Sequence, residues 1–125
     1  KIKAHPSFRL VATMNDDSST FDLPEYIHSR LQPQILIDFP EREEEHQILR
    51  ENLPFGPPEI LEYVTDFLQQ AHANEERYTA RDGINIARYA MKLRHATQGL
   101  ATREALHTAI LETLGGEALR YVPRA

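Results

Sequence analysis

The sequence predicts a mainly α protein, in which a short α/β stretch of two brief strands and one helix leads into a bundle of four helices. Three observations carry this expectation. Residues 8–14 (FRLVATM) and 34–39 (QILIDF) are short apolar runs bounded by prolines and polar clusters, with the length of buried strands. After Pro40 the apolar residues adopt helical spacing for most of the remaining chain. Pro54, Gly56-Pro57-Pro58 and Gly115-Gly116 then punctuate the periodic stretches where helices should stop or start.

Taken in order, residues 8–14 should form a strand buried on both faces, followed by the polar turn 15–19. Asp22 and Glu25 have capping-box spacing and Pro24 suits a first turn, so a helix is expected over about 24–31, with Pro33 as its stop. Residues 34–39 read as a second strand, closed by Pro40. Residues 41–53 give a short helix with Ile48, Leu49 and Leu53 inward, its acidic start (Glu41 to Glu45) read as a solvated, dipole-favoured first turn. In residues 58–73 Ile60, Leu61, Val64, Phe67, Leu68 and Ala71 form one apolar stripe. Thr79 and Asp82 match a capping box that opens a helix to about 95, and Thr102 is placed as the cap of the last helix. Segments 1–40, 41–116 and 117–125 are therefore expected to be the α/β part, the helical bundle and a loop or short extended tail.

Bulk properties narrow the function classes. A chain of 125 residues allows one modest domain, or one small domain carrying part of another. Hydrophobic residues at 41% and charged residues at 26% argue against disorder. No stretch approaches the roughly 20 apolar residues of a membrane span, and no signal peptide pattern is visible, so no membrane partner is expected. The absence of Cys excludes disulfides and thiolate metal sites and makes a cytoplasmic location the expectation. A first residue that is Lys, just before an apolar strand-like run, suggests a piece of a longer chain. Net charge is −5, which speaks against nucleic acid, yet residues 81–103 carry five bases and one acid.

Four polar residues are candidates for chemistry. Asn15 follows a buried strand, where an amide can orient water or touch a phosphate oxygen, although a turn-forming Asn beside Asp16 and Asp17 is by position the stronger reading. Arg30 stands near the end of a predicted helix, where complementing the dipole is reason enough for a cation. An outward-pointing Arg there could also stabilise phosphoryl charge in a neighbour. Arg81, Asn85, Arg88 and Lys92 recur along one stripe of a helix, with Arg81 and Arg88 about 10 Å apart along the axis. Arg81 lies in a first turn, where the macrodipole disfavours a cation, and an anionic partner such as phosphate would compensate. The six histidines show no helical metal spacing and are read as surface or packing residues, so no metal site is expected.

In this order the pieces resemble AAA+ ATPases, specifically the MoxR-like and midasin-related branch. Residues 5–15 (HPSFRLVATMN) resemble the sensor-1 strand. Residues 23–31 (LPEYIHSRL) resemble the next helix, whose Ser-Arg end supplies an arginine finger. Residues 35–40 (ILIDFP) and 45–49 (EHQIL) are similar to the last core strand and the first helix of the lid, and residues 79–85 (TARDGIN) to the sensor-2 segment. The resemblance spans roughly residues 5–96 and implies the carboxyl-terminal end of an α/β P-loop core followed by a four-helix lid. It makes Asn15 sensor 1, Arg30 the finger acting on ATP in the adjacent subunit, and Arg81 sensor 2, with Arg88 the second choice for that role.

The resemblance further implies ATP with Mg in the intact parent, neighbouring subunits of a homo-oligomeric, hexameric ring, and a client protein that is remodelled. Walker A and Walker B precede sensor 1 in that family and both are absent here. The chain alone is thus expected to be inactive and to bind nucleotide weakly, and its two unpaired strands to rearrange or to pair in a strand-swapped dimer. Two other classes stay open: a stand-alone helical interaction module, and a helix-turn-helix nucleic-acid reader, which the acidic surroundings disfavour.

Overall fold

The computed structural model describes residues 1–15 and 24–124. The chain divides into two compact units, Lys1–Ile37 and Asp38–Ala125, each described by itself below.

The first unit carries one short helix, α1 (Glu25–His28), preceded by Pro24. The carboxyl of its expected capping box, Asp22, lies outside the described residues. The helix expected over 24–31 therefore amounts to one turn, whose amides turn back to Pro24, Glu25 and Ile27 carbonyls. Residues 8–14 and 34–39 are a correction to the expected strands: among the described residues no strand forms. The physical reason is the absence of a ladder partner, because extended backbone becomes a strand only when a neighbour satisfies its N–H and C=O groups. The apolar character of both runs is real and uncovered. Val11 is 86% exposed and Ile37 88%.

The second unit is the helical bundle. It comprises α2 (Arg42–Asn52), α3 (Pro58–His72), α4 (Ala80–Ala96), α5 (Thr102–Leu114) and a 3-10 helix, Gly116–Tyr121. The mainly helical class is thus observed. Helix α3 has the full stripe expected of it, with Ile60, Leu61, Val64, Phe67, Leu68 and Ala71 all buried. Leu49 of α2, Leu53 just after it, Ile86, Ala87 and Ala90 of α4, and Leu106 and Ile110 of α5 join the core.

The helix ends follow local chemistry. At the start of α4, Thr79 Oγ1 accepts from the Asp82 amide, while the Asp82 carboxylate accepts from the Thr79 amide at 2.7 Å. The end of α3 closes in a Schellman pattern, the Glu76 amide donating to the Ala71 carbonyl and the Glu75 amide to that of His72. Glu75 sits there at φ 64°, the left-handed region usually filled by Gly. Helix α5 begins one residue earlier than Thr102 capping would require: Ala101 is the cap residue and Thr102 the first helical residue, its hydroxyl donating instead to Glu59. Gly115 ends α5 at φ 93°.

The expected tail is not loose. Ala118 and Tyr121 are buried, and the Tyr121 hydroxyl donates to Glu76 at 2.9 Å. The Tyr121 ring meets Tyr78 edge-on at 6.3 Å, and Tyr78 stacks on Phe67 at 6.0 Å.

Candidate functional site

The four residues singled out from sequence fall into both units. Asn15 and Arg30 belong to the first and are exposed, Arg30 in the turn just after α1. Arg81 and Arg88 belong to α4 in the second and are exposed as well, as are Asn85 and Lys92. Neither unit by itself brings all four together.

Within α4 the capping box fixes the first turn and so presents Arg81 at a defined place beside Asp82. Asp82 is already engaged with both the amide and the hydroxyl of Thr79. No ion pair among the described residues involves Arg81, Arg88 or Lys92, whereas Arg42, Arg94 and Arg120 pair with Asp66, Glu59 and Glu117. A helix whose first turn holds an unneutralised Arg has positive charge to offer an anion such as a phosphate. For a divalent ion the described residues offer less: no three His, Asp or Glu side chains come together.

A second constellation was missed in the sequence. Glu45 of α2 is not solvated but has no exposure at all, which corrects the reading of residues 41–45. Its Oε2 accepts from Gln69 Nε2 at 2.6 Å and lies 3.8 Å from His72 Nδ1. The same Gln69 amide reaches the Pro40 carbonyl at 3.1 Å. His72 Nε2 bonds the Tyr78 carbonyl at 2.6 Å, and Phe39 stacks on the imidazole with centroids 4.0 Å apart. Burial pushes the Glu45 carboxyl up, against the lowering pull of the Gln69 bond and of His72. The signal was present: positions 45 and 49 share one stripe of α2, as 64, 68 and 72 do on α3, and both stripes are inward.

The grooves are minor. One, of about 260 Å³, runs along α2 past Arg42, His46 and Arg50. Another, of about 250 Å³, lies between α3, α5 and the last residues and is lined by Tyr63, Arg103, Leu106 and Pro123. Both are open, and both fall below the ~300 Å³ at which small-molecule pockets begin. Beside the second, Tyr63 shares a hydrogen bond of 3.0 Å with His107, and burial pushes its phenol up. Among the described residues no helix is long and apolar enough to cross a membrane. No family model matches the chain, and neither the curated proteins nor the solved structures yield a match.

Proposed function

We propose that this chain supplies the sensor and arginine-finger residues and the helical lid of an AAA+ ATPase of the MoxR-like or midasin-related branch. On this reading it acts in the cytoplasm in a ring of like subunits that remodels a client protein, and does not hydrolyse ATP by itself. The observation that carries the reading is the start of α4. A box-capped first turn presents Arg81, and two turns later Arg88, on an exposed face without ion-pair partners among the described residues. A cation against the helix dipole with no ion-pair partner among the described residues is well suited to reporting a phosphate.

The exposed runs 8–14 and 34–37 fit the same reading. They would become strands of the α/β core when a central strand lies between them, and Asn15 would then orient water at the γ-phosphate. Arg30 would act across a subunit boundary, where a finger supplies charge that develops in phosphoryl transfer. ATP with Mg would be held chiefly by a phosphate loop that this chain lacks.

The test is made in the open reading frame that encodes this chain. The proposal requires a Gly-x-x-x-x-Gly-Lys-Ser/Thr loop upstream of Phe8 and ATP turnover that collapses in Arg30→Ala and in Arg81→Ala. Turnover indifferent to both substitutions, or a reading frame without the loop, removes it. Partner binding unaffected by nucleotide would then favour the interaction-module reading.

A further inference from the structure

Two acceptors confront each other inside the bundle. The Tyr78 carbonyl can only accept, so His72 Nε2 carries the proton in their 2.6 Å bond. A neutral imidazole so oriented turns the bare lone pair of Nδ1 toward Glu45 Oε2, 3.8 Å away. Among the described residues neither Nδ1 nor Glu45 Oε1 has a hydrogen-bond partner. A carboxylate facing a lone pair in a buried space is unfavourable, and one proton held by either group removes the conflict.

Both members of the pair also grip the chain that enters α2. Phe39 lies flat on the His72 ring, 4.0 Å between centroids. Gln69 joins Glu45 to the Pro40 carbonyl. Residues 39–40 lie in non-helical backbone just before α2.

We propose that Glu45 and His72 share one proton that keeps residues 39–40 docked on α3, and that loss of this proton at alkaline pH releases them. With the proton gone, Glu45 is a buried anion holding one hydrogen bond, and opening the 39–40 segment admits water to it. A protonated His72 would also attract the Phe39 face more strongly than a neutral one, so both contacts weaken together. His46, next to Glu45 on α2, has its Nε2 buried without a hydrogen-bond partner among the described residues, while several charged groups of the neighbouring segments are engaged elsewhere. Arg42 on α2 pairs with Asp66 of α3, Asp38 accepts from the Phe39 amide, Glu41 and Glu44 form the α2 capping box, and Glu76 accepts from Tyr121. Burial raises the Glu45 carboxyl, in keeping with a retained proton.

The experiment follows the full chain by NMR from about pH 5 to about pH 9, reading the His72 ring, the Phe39 ring and the exchange of the Phe39 and Glu41 amides. One concerted transition is expected, in which the Phe39 ring loses its imidazole ring-current shift and protection factors at 39 and 41 fall about tenfold. Glu45→Gln keeps an acceptor for Gln69 but cannot share a proton, and should abolish the transition. If that variant does not fold, His72→Phe preserves the stacked ring, removes the nitrogen that faces Glu45, and should abolish it equally. Absence of the transition in the natural chain, or its persistence in the folded variant, overturns the proposal.

Discussion

Gly83 of α4 stands so close to Leu68 of α3 that a β-carbon at position 83 would lie 2.6 Å from Leu68 Cδ1, with Val64 Cγ1 at 3.2 Å and Leu49 Cδ2 at 3.3 Å. Three helices meet over this missing side chain. Gly83→Val is expected to destabilise the bundle by about 1–3 kcal/mol through overpacking, read as a lowered urea midpoint at unchanged slope. A variant as stable as the natural chain would show that α4 can slide away from α3.

Helix ends supply a prediction of opposite sign. Glu75 occupies the left-handed position of the α3 terminus at φ 64°. Glu75→Gly should raise stability by roughly 0.5–1 kcal/mol, since Gly adopts this conformation without a β-carbon clash. Gly115, at φ 93° and ψ 171°, is the converse case. Gly115→Ala should cost about 1–3 kcal/mol. Thermal unfolding of the two variants side by side checks both directions.

Stability should also depend on pH through Glu45. Its carboxyl is raised above the usual 4.5 by burial, so the folded chain binds this proton more tightly than the unfolded chain. The stabilising contribution is complete below the unfolded value and is lost as pH rises through the folded one. Urea midpoints of the natural chain minus those of Glu45→Gln, taken across that window, should therefore fall with rising pH. A flat or rising difference would mean that Glu45 is not buried as described.

Arg81 offers a way to separate structure from chemistry. It is exposed, has no ion-pair partner among the described residues, and opposes the α4 dipole. Arg81→Ala and Arg88→Ala should leave the urea midpoint of this chain unchanged or slightly raised. In an ATPase carrying the chain, loss of a trans-acting Arg30 should reduce turnover by about 10³-fold or more. Coupled loss of folding in the α4 variants would make those arginines structural and weaken the proposed role.

The bundle was largely legible because its apolar periodicity is strong. The α3 stripe was read residue for residue, and the Thr79–Asp82 box and the Gly115 stop stand where the local rules put them. The strands were not obtained, because a short apolar run states what a segment would bury but not whether a ladder partner is present. Glu45 was missed for another reason: four glutamates among residues 41–45 look solvated as a group, and only the register with Leu49 and Leu53 sets one apart. His72 and Gln69 acquire meaning only once α2 lies against α3, a tertiary fact that spacing along one helix does not contain. As for the sites, residue type and order nominated Asn15, Arg30, Arg81 and Arg88, while local physics alone gave Asn15 and Arg30 a structural reason to be there and gave Arg81 none.

The 3-10 turn after α5 decides where this bundle can be cut. Tyr121 closes one end of an aromatic row, Phe67 to Tyr78 to Tyr121, and ties the turn between α3 and α4 through Glu76. A shortened version ending at Gly116 would keep every long helix yet strip Tyr78 of its neighbour and leave Glu76 without that donor. The minimal piece worth expressing therefore reaches past Tyr121, and a truncation series should show melting that sharpens only once that tyrosine is included.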